Sequence, residues 1–323
     1  MKKLVAYLDL LGFRAHLSES SNDALLSLGH YAEIFKILNQ DSSVKYTDKH
    51  LQNLAREHGV DAFDYFLPFS DSIVIASSKD PNVFIRQLAN FLCATFMFNS
   101  GSFDLTRMEM EGRENPIEEV EIKFGLGADG HMTTSQDKYR NYPMLFRGGV
   151  SYGDMKAIRM PSEVNKVVQV STILAGQGIV DAVKLEESKI KGPRILFGEE
   201  VFRLLSTENR CKFCRKVPEP SHRGCYEILW PNASCSDSNL PGQNFSEIAD
   251  LYRKAIALWR HYNHEECGIH YFNFSELIVS SAMEWAKACG QRAEMQKQLR
   301  KLVDDNGLSA KYNVLSASQE DKS

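Results

Sequence analysis

The most constraining feature of the sequence is a carboxylate inside its first apolar run. The segment LVAYLDLLGF, residues 4–13, has the length and composition of a buried strand that ends in a turn at Gly12, yet it contains Asp9. A charged carboxylate removed from water destabilises the fold by several kcal/mol unless a cation or several hydrogen bonds compensate it. We therefore expect Asp9 to have a partner.

A second carboxylate lies between two β-rich runs. In FDYFLPFSDSIVIAS, residues 63–77, the pair Ser70-Asp71 separates the runs, which predicts a hairpin with Asp71 at or beside its turn. Pro68 makes the first of these strands an edge or a bulged strand. In a mainly antiparallel sheet, a carboxylate at the end of the first strand can lie beside such a turn. Hard divalent cations such as Mg²⁺ and Mn²⁺ prefer paired carboxylates, so Asp9 and Asp71 are candidate metal ligands.

Simpler structural interpretations stay open for Asp9, Asp71 and Arg147. Asp9 could cap a helix or pair with a buried arginine, and Asp71 could be an ordinary turn residue. Arg147, which stands beside two glycines, could form a salt bridge at a strand end.

The remaining patterns indicate an α+β fold. They predict helices over 24–38 and 84–98, a second hairpin over 144–160 that turns at Gly153-Asp154, a helix over 170–188, and a strand that enters a helix over 193–202. Residues 101–142 are polar and acidic, and we interpret them as an insertion that carries at most short elements.

The chain divides near residue 231. We expect a core domain over 1–231, a Ser/Asn/Pro-rich linker over 232–244, a helical appendage over 245–308 and a disordered tail over 309–323.

Composition excludes several classes of protein. The formal net charge of −4 argues against broad attraction to nucleic acid or acidic membranes. Asp9 interrupts the only candidate leader, and no apolar run is long enough to span a bilayer, so a cytoplasmic location is expected. Seven cysteines, an odd number, indicate reduced thiols. Cys211, Cys214, His222 and Cys225 have nearly zinc-like spacing, which leaves a zinc site open beside a plain loop-and-strand interpretation.

Four segments resemble, in order, the motifs of class III nucleotidyl cyclases. YLDLLGF is similar to that family's opening aromatic-x-Asp-Ile-x-Gly-Phe element, and Ser70-Asp71 stands at its Gly-Asp hairpin. RGGVSYGDM, residues 147–155, resembles its Arg-x-Gly-Ile-x-x-Gly element, and GQGIVDAVKLEES, residues 176–188, resembles its Gly-x-x-Val-Asn-x-Ala-x-Arg-Leu-Glu helix. The resemblance covers about Lys2 to Glu200 and implies a ferredoxin-like palm, a mainly antiparallel sheet flanked by helices.

The resemblance also implies a site. Asp9 and Asp71 would bind two divalent metal ions, Mn²⁺ or Mg²⁺. The backbone amides of Leu10, Leu11, Gly12 and Phe13 would hold the β- and γ-phosphates of a nucleoside triphosphate, because a turn that enters a helix directs free N–H groups at an anion. The ribose 3′ oxygen would attack the α-phosphate and release pyrophosphate, which makes the enzyme a phosphorus–oxygen lyase.

The departures from the family concern the base and the transition state. The positions that read a purine base fall near Leu67 and Ile173, which cannot hydrogen-bond a base edge. The asparagine that orients the ribose is Val180, and the arginine that stabilises the transition state is Lys184. Ordinary adenylate or guanylate cyclase activity is therefore not expected.

The first hairpin strand favours a small base. Phe63, Tyr65 and Leu67 would narrow the base pocket, and Tyr65 or Arg147 could hydrogen-bond a pyrimidine. The whole pattern is similar to the bacterial Pycsar anti-phage pyrimidine cyclases. That resemblance implies a homodimer with active sites at its interface and synthesis of cyclic UMP, or less favourably cyclic CMP, that signals to an effector protein in antiviral defence. Arg147 or Lys184 would replace the missing arginine as the catalytic cation.

Two alternatives stay open. The chain could be a purine nucleotide cyclase that reads its base through backbone groups. It could also be a degenerate cyclase-fold domain that binds a nucleotide and regulates a partner without catalysis, as the Val180 and Lys184 departures suggest.

Overall fold

The computed structural model describes most of the chain. The described residues are 1–27, 63–69, 71–100, 117–126, 132–140, 142–143, 145–164, 167–188, 190–217, 224–235, 243–263 and 265–308. The strands are β1 Lys2–Leu11, β2 Tyr65–Phe69, β3 Ser72–Ser77, β4 Ile117–Leu126, β5 Met132–Arg140, β6 Leu145–Asp154, β7 Lys156–Val164, β8 Val167–Ala175, β9 Ile195–Gly198, β10 Cys214–Lys216 and β11 Cys225–Ile228. The helices are α1 Phe13–Glu19, α2 Pro81–Asn99, α3 Gln177–Glu186, α4 Glu199–Leu204, α5 Thr207–Phe213, α6 Gln243–His261, α7 Gly268–Ala288 and α8 Arg292–Asp305, and a 3₁₀ helix spans Trp230–Cys235.

The central sheet has seven strands in the order β10-β11-β9-β6-β1-β3-β2. Its neighbouring strands are antiparallel except for β6 and β9, which are parallel. The first strand of the chain therefore lies inside the sheet, between β6 and β3. The predicted fold class, an α+β fold with a mainly antiparallel sheet flanked by helices, is confirmed.

Several local predictions are confirmed. Strands β2 and β3 form the first hairpin, Asp71 lies in its turn, and β2 is the edge strand that Pro68 predicted. Helix α2 contains the predicted 84–98, and β9 enters α4 as expected. Residues 21–27 are helical, and the rest of the predicted helix over 24–38 lies outside the described residues.

The prediction of a second hairpin over 144–160 was wrong. Strand β6 continues through Gly153 and Asp154, where it pairs with Lys3 and Lys2, and the hairpin is instead formed by β7 and β8. Gly153 does not have the positive φ of a tight turn. A Cβ at Gly153 would lie 2.8 Å from the Cα of Gly178, so this glycine permits close packing of α3 on the sheet.

Two further predictions over the middle of the chain need correction. The helix expected over 170–188 begins only at Gln177, because residues 167–175 form β8. The insertion over 101–142 was expected to carry at most short elements, yet it contains β4 and β5, of 10 and 9 residues, which pair as a ribbon. The strand β4 was missed because its glutamates made the segment look polar, although Val120, Ile122 and Phe124 alternate as in a strand.

The main hydrophobic core lies on one face of the sheet. Leu4, Ala6, Leu8 and Leu10 of β1 point into it, and a single cluster of buried residues extends from them to helices α2, α6, α7 and α8. The helices after residue 243 thus pack into the same core as the sheet. The division into domains at residues 231 and 245 stays a prediction, and 309–323 lie outside the described part of the chain.

The other face of the sheet is covered more thinly, by α3. A Cβ at Gly149 of β6 would lie 2.2 Å from the carbonyl oxygen of Ala182, so the helix backbone rests directly on this glycine. Ser151 donates a hydrogen bond of 2.5 Å to the carbonyl of Gly178. Val5, Ala76, Met155 and Ala182 form a small second core there.

None of the helices in the described ranges is both long and apolar enough to cross a membrane.

Candidate functional site

Asp9 lies in the middle of a row of side chains that crosses the thinly covered face. It is paired directly with Ser72 on β3 and with Arg147 on β6. Directly opposed residues of antiparallel strands project to the same face of a sheet. The register therefore places the three side chains together beside α3.

Asp9 is a half-buried carboxylate with two partners. Its side chain is 20% exposed, Arg147 Nη2 lies 3.2 Å from Oδ2, and the Ser72 hydroxyl donates to Oδ1 at 3.4 Å. Burial raises the pKa of Asp9, Arg147 opposes this, and the nearby charge of Asp71 raises the pKa further. The net direction is upward, so one guanidinium and one hydroxyl do not fully compensate the ionised carboxylate.

Asp71 is held beside Asp9 by the backbone. The carbonyl oxygen of Asp71 accepts a hydrogen bond of 2.9 Å from the N–H of Leu10, the residue after Asp9. This bond fixes the β2–β3 turn against the end of β1. The effect of Asp71 on the Asp9 pKa indicates that the two negative charges interact.

The two aspartates suit a divalent cation. They are hard oxygen donors from a strand and a turn. A cation between them would relieve the repulsion by Asp71, which adds to the effect of burial in raising the Asp9 pKa. Within the described ranges, no group of three or more His, Cys, Asp and Glu side chains forms a closed metal site. Mg²⁺ in phosphate-transfer sites is commonly held by only one or two carboxylates together with water and substrate phosphates. The donor set therefore fits the predicted ions.

Arg147 also contacts a carboxylate that sequence reasoning missed. Arg147 Nε lies 2.5 Å from Oε1 of Glu186, at the end of α3, and the Glu186 side chain is only 7% exposed. Burial raises the pKa of Glu186, with Arg147 opposing and Asp9 adding to the rise. The sequence does hold a signal, because Glu186 follows the buried Ala182 by four residues and so lies on the inner face of α3.

Tyr7 extends this network on the same face. Its hydroxyl lies 2.8 Å from the Ser72 hydroxyl, and burial raises the pKa of Tyr7. Ser72 thus touches both Tyr7 and Asp9 and fixes the Asp9 carboxylate on the side away from Arg147. Tyr7 and Ser72 were not predicted as site residues, although period-two alternation along β1 places Tyr7 and Asp9 on one face.

The predicted phosphate-binding segment is a strand-to-helix turn. Gly12 has a φ of 85° and precedes α1, and Phe13 is buried. Leu10 cannot offer its N–H to a phosphate in this conformation, because the group is bonded to Asp71. Leu11, Gly12 and Phe13 stay the predicted amide donors.

The predicted base-binding residues lie on the Asp9 face. Across β3, Tyr65 aligns with Val5 of β1, and Leu67 aligns with Tyr7 of β1. Val5 and Tyr7 are on the same face of β1 as Asp9, because side chains alternate along a strand. Both predicted side chains are half-buried, and Lys3 Nζ lies 5.2 Å from the Tyr65 ring centroid.

Phe63 was expected beside Tyr65 and Leu67, and this was wrong. It packs edge-on against Phe84 of the main core, with ring centroids 5.6 Å apart. Phe63 precedes β2, so the alternation of the strand does not extend to it.

Lys184 is not brought to Asp9 within one chain. Its side chain is 65% exposed, and its amino group lies 3.6 Å from Oδ1 of Asp181 on the same helix. Two residues of a helix span about 200°, so Lys184 and Glu186 project to opposite sides of α3. Val180 is also exposed.

The cysteine segment does not form a described metal site. Cys211 is exposed, whereas Cys214 is buried, and burial raises the pKa of the Cys214 thiol to about 12. Cys225 is free and half-buried, and His222 lies outside the described residues.

Comparison with known proteins gives a likeness to solved structures alone. No protein-family model matches the chain, and no curated protein matches it. Two structures of a bacterial light-regulated adenylyl cyclase share 12% identity with it over 71% of this chain, with TM-scores of 0.38 and 0.39. The guanylyl cyclase Cya2 shares 11% identity over 71% of this chain and 92% of its own length, with a TM-score of 0.36. The chain spans about half the length, 52%, of the light-regulated cyclase.

Proposed function

We propose that the chain is a nucleotidyl cyclase that converts UTP, or CTP, to the 3′,5′-cyclic nucleotide and pyrophosphate. The observation that carries the proposal is the Asp9–Asp71 pair. Asp9 lies on the thinly covered face of the sheet, Asp71 lies in the turn bonded to the neighbouring residue Leu10, and their charges interact. The resemblance of four ordered sequence motifs to class III nucleotidyl cyclases supports it independently. A non-catalytic regulator would have less need for both acidic side chains.

Asp9 and Asp71 would hold two divalent ions, Mn²⁺ or Mg²⁺. When bound, such ions lower the pKa of the ribose 3′ hydroxyl and neutralise the pyrophosphate leaving group. The protein supplies two carboxylate oxygen donors, and the Leu10–Asp71 backbone bond holds the two residues at neighbouring positions. The reaction forms one bond between the ribose 3′ oxygen and the α-phosphate, breaks the bond to pyrophosphate and releases the hydroxyl proton to water, without a side-chain nucleophile.

The remaining predicted residues orient the nucleotide. The amides of Leu11, Gly12 and Phe13 would hold the terminal phosphates at the start of α1. Arg147 is directly opposite Asp9, so its guanidinium could stabilise negative charge that develops on the transferring phosphate.

The pyrimidine preference rests on β2. Tyr65 and Leu67 are bulky, lie on the same face as Asp9 and carry one hydroxyl between them. That combination limits the room for a base and offers few groups for a purine edge. We favour UTP over CTP as the substrate.

A homodimer with composite sites would give Lys184 a role. The exposed Lys184 and Val180 could act on the nucleotide held by a partner subunit. Ile158 and Ile173 are paired across the β7–β8 ribbon, and both are about half exposed, as is Met160. The ribbon that precedes α3 in the chain therefore exposes an apolar surface that a partner subunit could cover. A cytoplasmic enzyme of this kind would act on an effector protein through its cyclic product, in antiviral defence.

One product assay separates the candidates. The purified chain is incubated with Mn²⁺ and each of the four nucleoside triphosphates, and the products are identified by mass spectrometry. Cyclic UMP or cyclic CMP is the expected product. A cyclic purine nucleotide would favour the runner-up, a purine cyclase, and nucleotide binding without any cyclic product would favour a regulator.

A further inference from the structure

We propose that Glu186 is a positioning residue that controls access of a divalent cation to Asp9 through Arg147. Without the cation, Arg147 is the counter-ion of Asp9. When the cation binds Asp9, Glu186 retains the displaced guanidinium beside the site. This inference rests on the metal site of the proposed function.

The geometry gives Arg147 two alternative anchors. One guanidinium nitrogen, Nη2, lies 3.2 Å from Asp9 Oδ2, and another, Nε, lies 2.5 Å from Glu186 Oε1. The longer and more exposed contact is the one to Asp9, whose side chain is 20% exposed against 7% for Glu186. The contact to Asp9 is therefore the one that an incoming cation can replace.

The local charge is consistent with such an exchange. By formal charge, Asp9, Asp71 and Glu186 carry three negative charges and Arg147 carries one positive charge, which leaves −2 among these four side chains. One divalent cation balances this charge before any nucleotide binds. Arg147 and the cation cannot both sit against the same oxygens, since two positive charges in contact repel each other.

Glu186 is necessary in this arrangement because Arg147 needs a second partner. If Glu186 were neutral, the guanidinium would have only Asp9 as a charged partner among these groups, and it would resist displacement. Glu187, the next residue, is exposed and provides a matched control with the same change of charge.

The test measures Mn²⁺ binding to the full chain by titration calorimetry without nucleotide. Glu186→Gln is expected to weaken binding by about 10- to 100-fold, the scale seen when outer-shell partners of metal ligands are removed. Glu187→Gln is expected to change it by less than about twofold, as for a screened surface charge. Arg147→Met is expected to tighten binding, and Glu186→Gln should then have little further effect in the Arg147→Met background.

Three results would overturn the proposal. Equal effects of Glu186→Gln and Glu187→Gln would show that only charge matters. An undiminished Glu186→Gln effect in the Arg147→Met background would show that Glu186 acts on the cation directly. If Asp9→Asn and Asp71→Asn bind Mn²⁺ as well as wild type, or if wild type does not bind Mn²⁺, the proposed metal site and this inference are both excluded. If Arg147→Met fails to fold, Arg147→Gln takes its place in the same comparison.

Discussion

The backbone N–H of Leu10 donates a hydrogen bond of 2.9 Å to the carbonyl oxygen of Asp71. This bond joins the end of the first strand to the turn of a hairpin more than sixty residues later in the chain. Asp9 and Asp71 are consequently held at adjacent positions by main-chain atoms, whatever their side chains bind. The proposed metal site, which would take two carboxylates from distant segments, would thereby be built before any cation arrives.

The buried imidazole of His16 predicts loss of stability in acid. His16 is 1% exposed, neither ring nitrogen has a hydrogen-bond partner among the described residues, and burial lowers its pKa to about 4 from 6.5. The unfolded chain therefore binds the proton more tightly than the native state. This contribution to stability is present above pH 6.5 and falls by about 3 kcal/mol as the pH drops to 4.

Urea unfolding of wild type and His16→Phe at pH 7 and pH 4.5 checks this prediction. Phenylalanine keeps the ring contact with Tyr142, whose centroid lies 4.1 Å from that of His16, but it cannot titrate. The stability of the variant should fall less between the two pH values. An equal fall in both proteins would exclude His16 as a source of the acid sensitivity.

Substitution of Gly149 should loosen α3 from the sheet. A Cβ there would lie 2.2 Å from the Ala182 carbonyl oxygen and 2.5 Å from Leu185 Cβ, neither of which can move without the helix. Gly149→Ala is therefore expected to lower the free energy of unfolding by about 1–3 kcal/mol. Urea denaturation measures the change, and Val180→Ala, on the exposed side of α3, serves as the control with less than about 0.5 kcal/mol. A stability equal to that of wild type would contradict the packing described for α3.

Mixed dimers test whether Lys184 acts on a partner subunit. Asp9→Asn and Lys184→Ala should each be inactive alone if every site takes Asp9 from one protomer and Lys184 from the other. After mixing and exchange, half of the dimers carry both variants and one of their two sites is intact, so activity should return to about a quarter of wild type. Cyclic nucleotide formation by the mixture measures this. Activity no higher than that of either variant alone would argue against a composite site that uses Lys184.

The sequence was informative where local pattern decides structure. The apolar run around Asp9 is a strand, and the paired β-rich runs around Asp71 are a hairpin with an edge strand, because alternation and Pro68 act within a few residues. Those two predictions located the strand end and the turn that hold the two carboxylates of the candidate site. The register across β1 and β6, which sets Arg147 opposite Asp9, depends on pairing between distant segments and could not be inferred locally.

The prediction of a hairpin turn at Gly153-Asp154 was wrong because glycine has two structural uses. Gly153 and Asp154 resemble a two-residue turn, but a glycine can serve either a positive φ or a close approach between elements. Gly153 serves the close approach, since Gly178 of α3 packs against it. Glu186 was missed for a related reason, because its partner Arg147 becomes visible only when α3 is placed on the sheet.

The most direct measurement is cyclic nucleotide formation from UTP and CTP with Mn²⁺, for the wild type and for the Asp9→Asn/Asp71→Asn double variant. Both substitutions preserve side-chain size, so circular dichroism and the thermal midpoint should show a folded protein. We expect wild type to release a cyclic pyrimidine nucleotide and pyrophosphate, and the folded double variant to lose this turnover by at least about a thousandfold. Equal turnover by the two proteins would contradict the assignment of both aspartates and the proposed reaction.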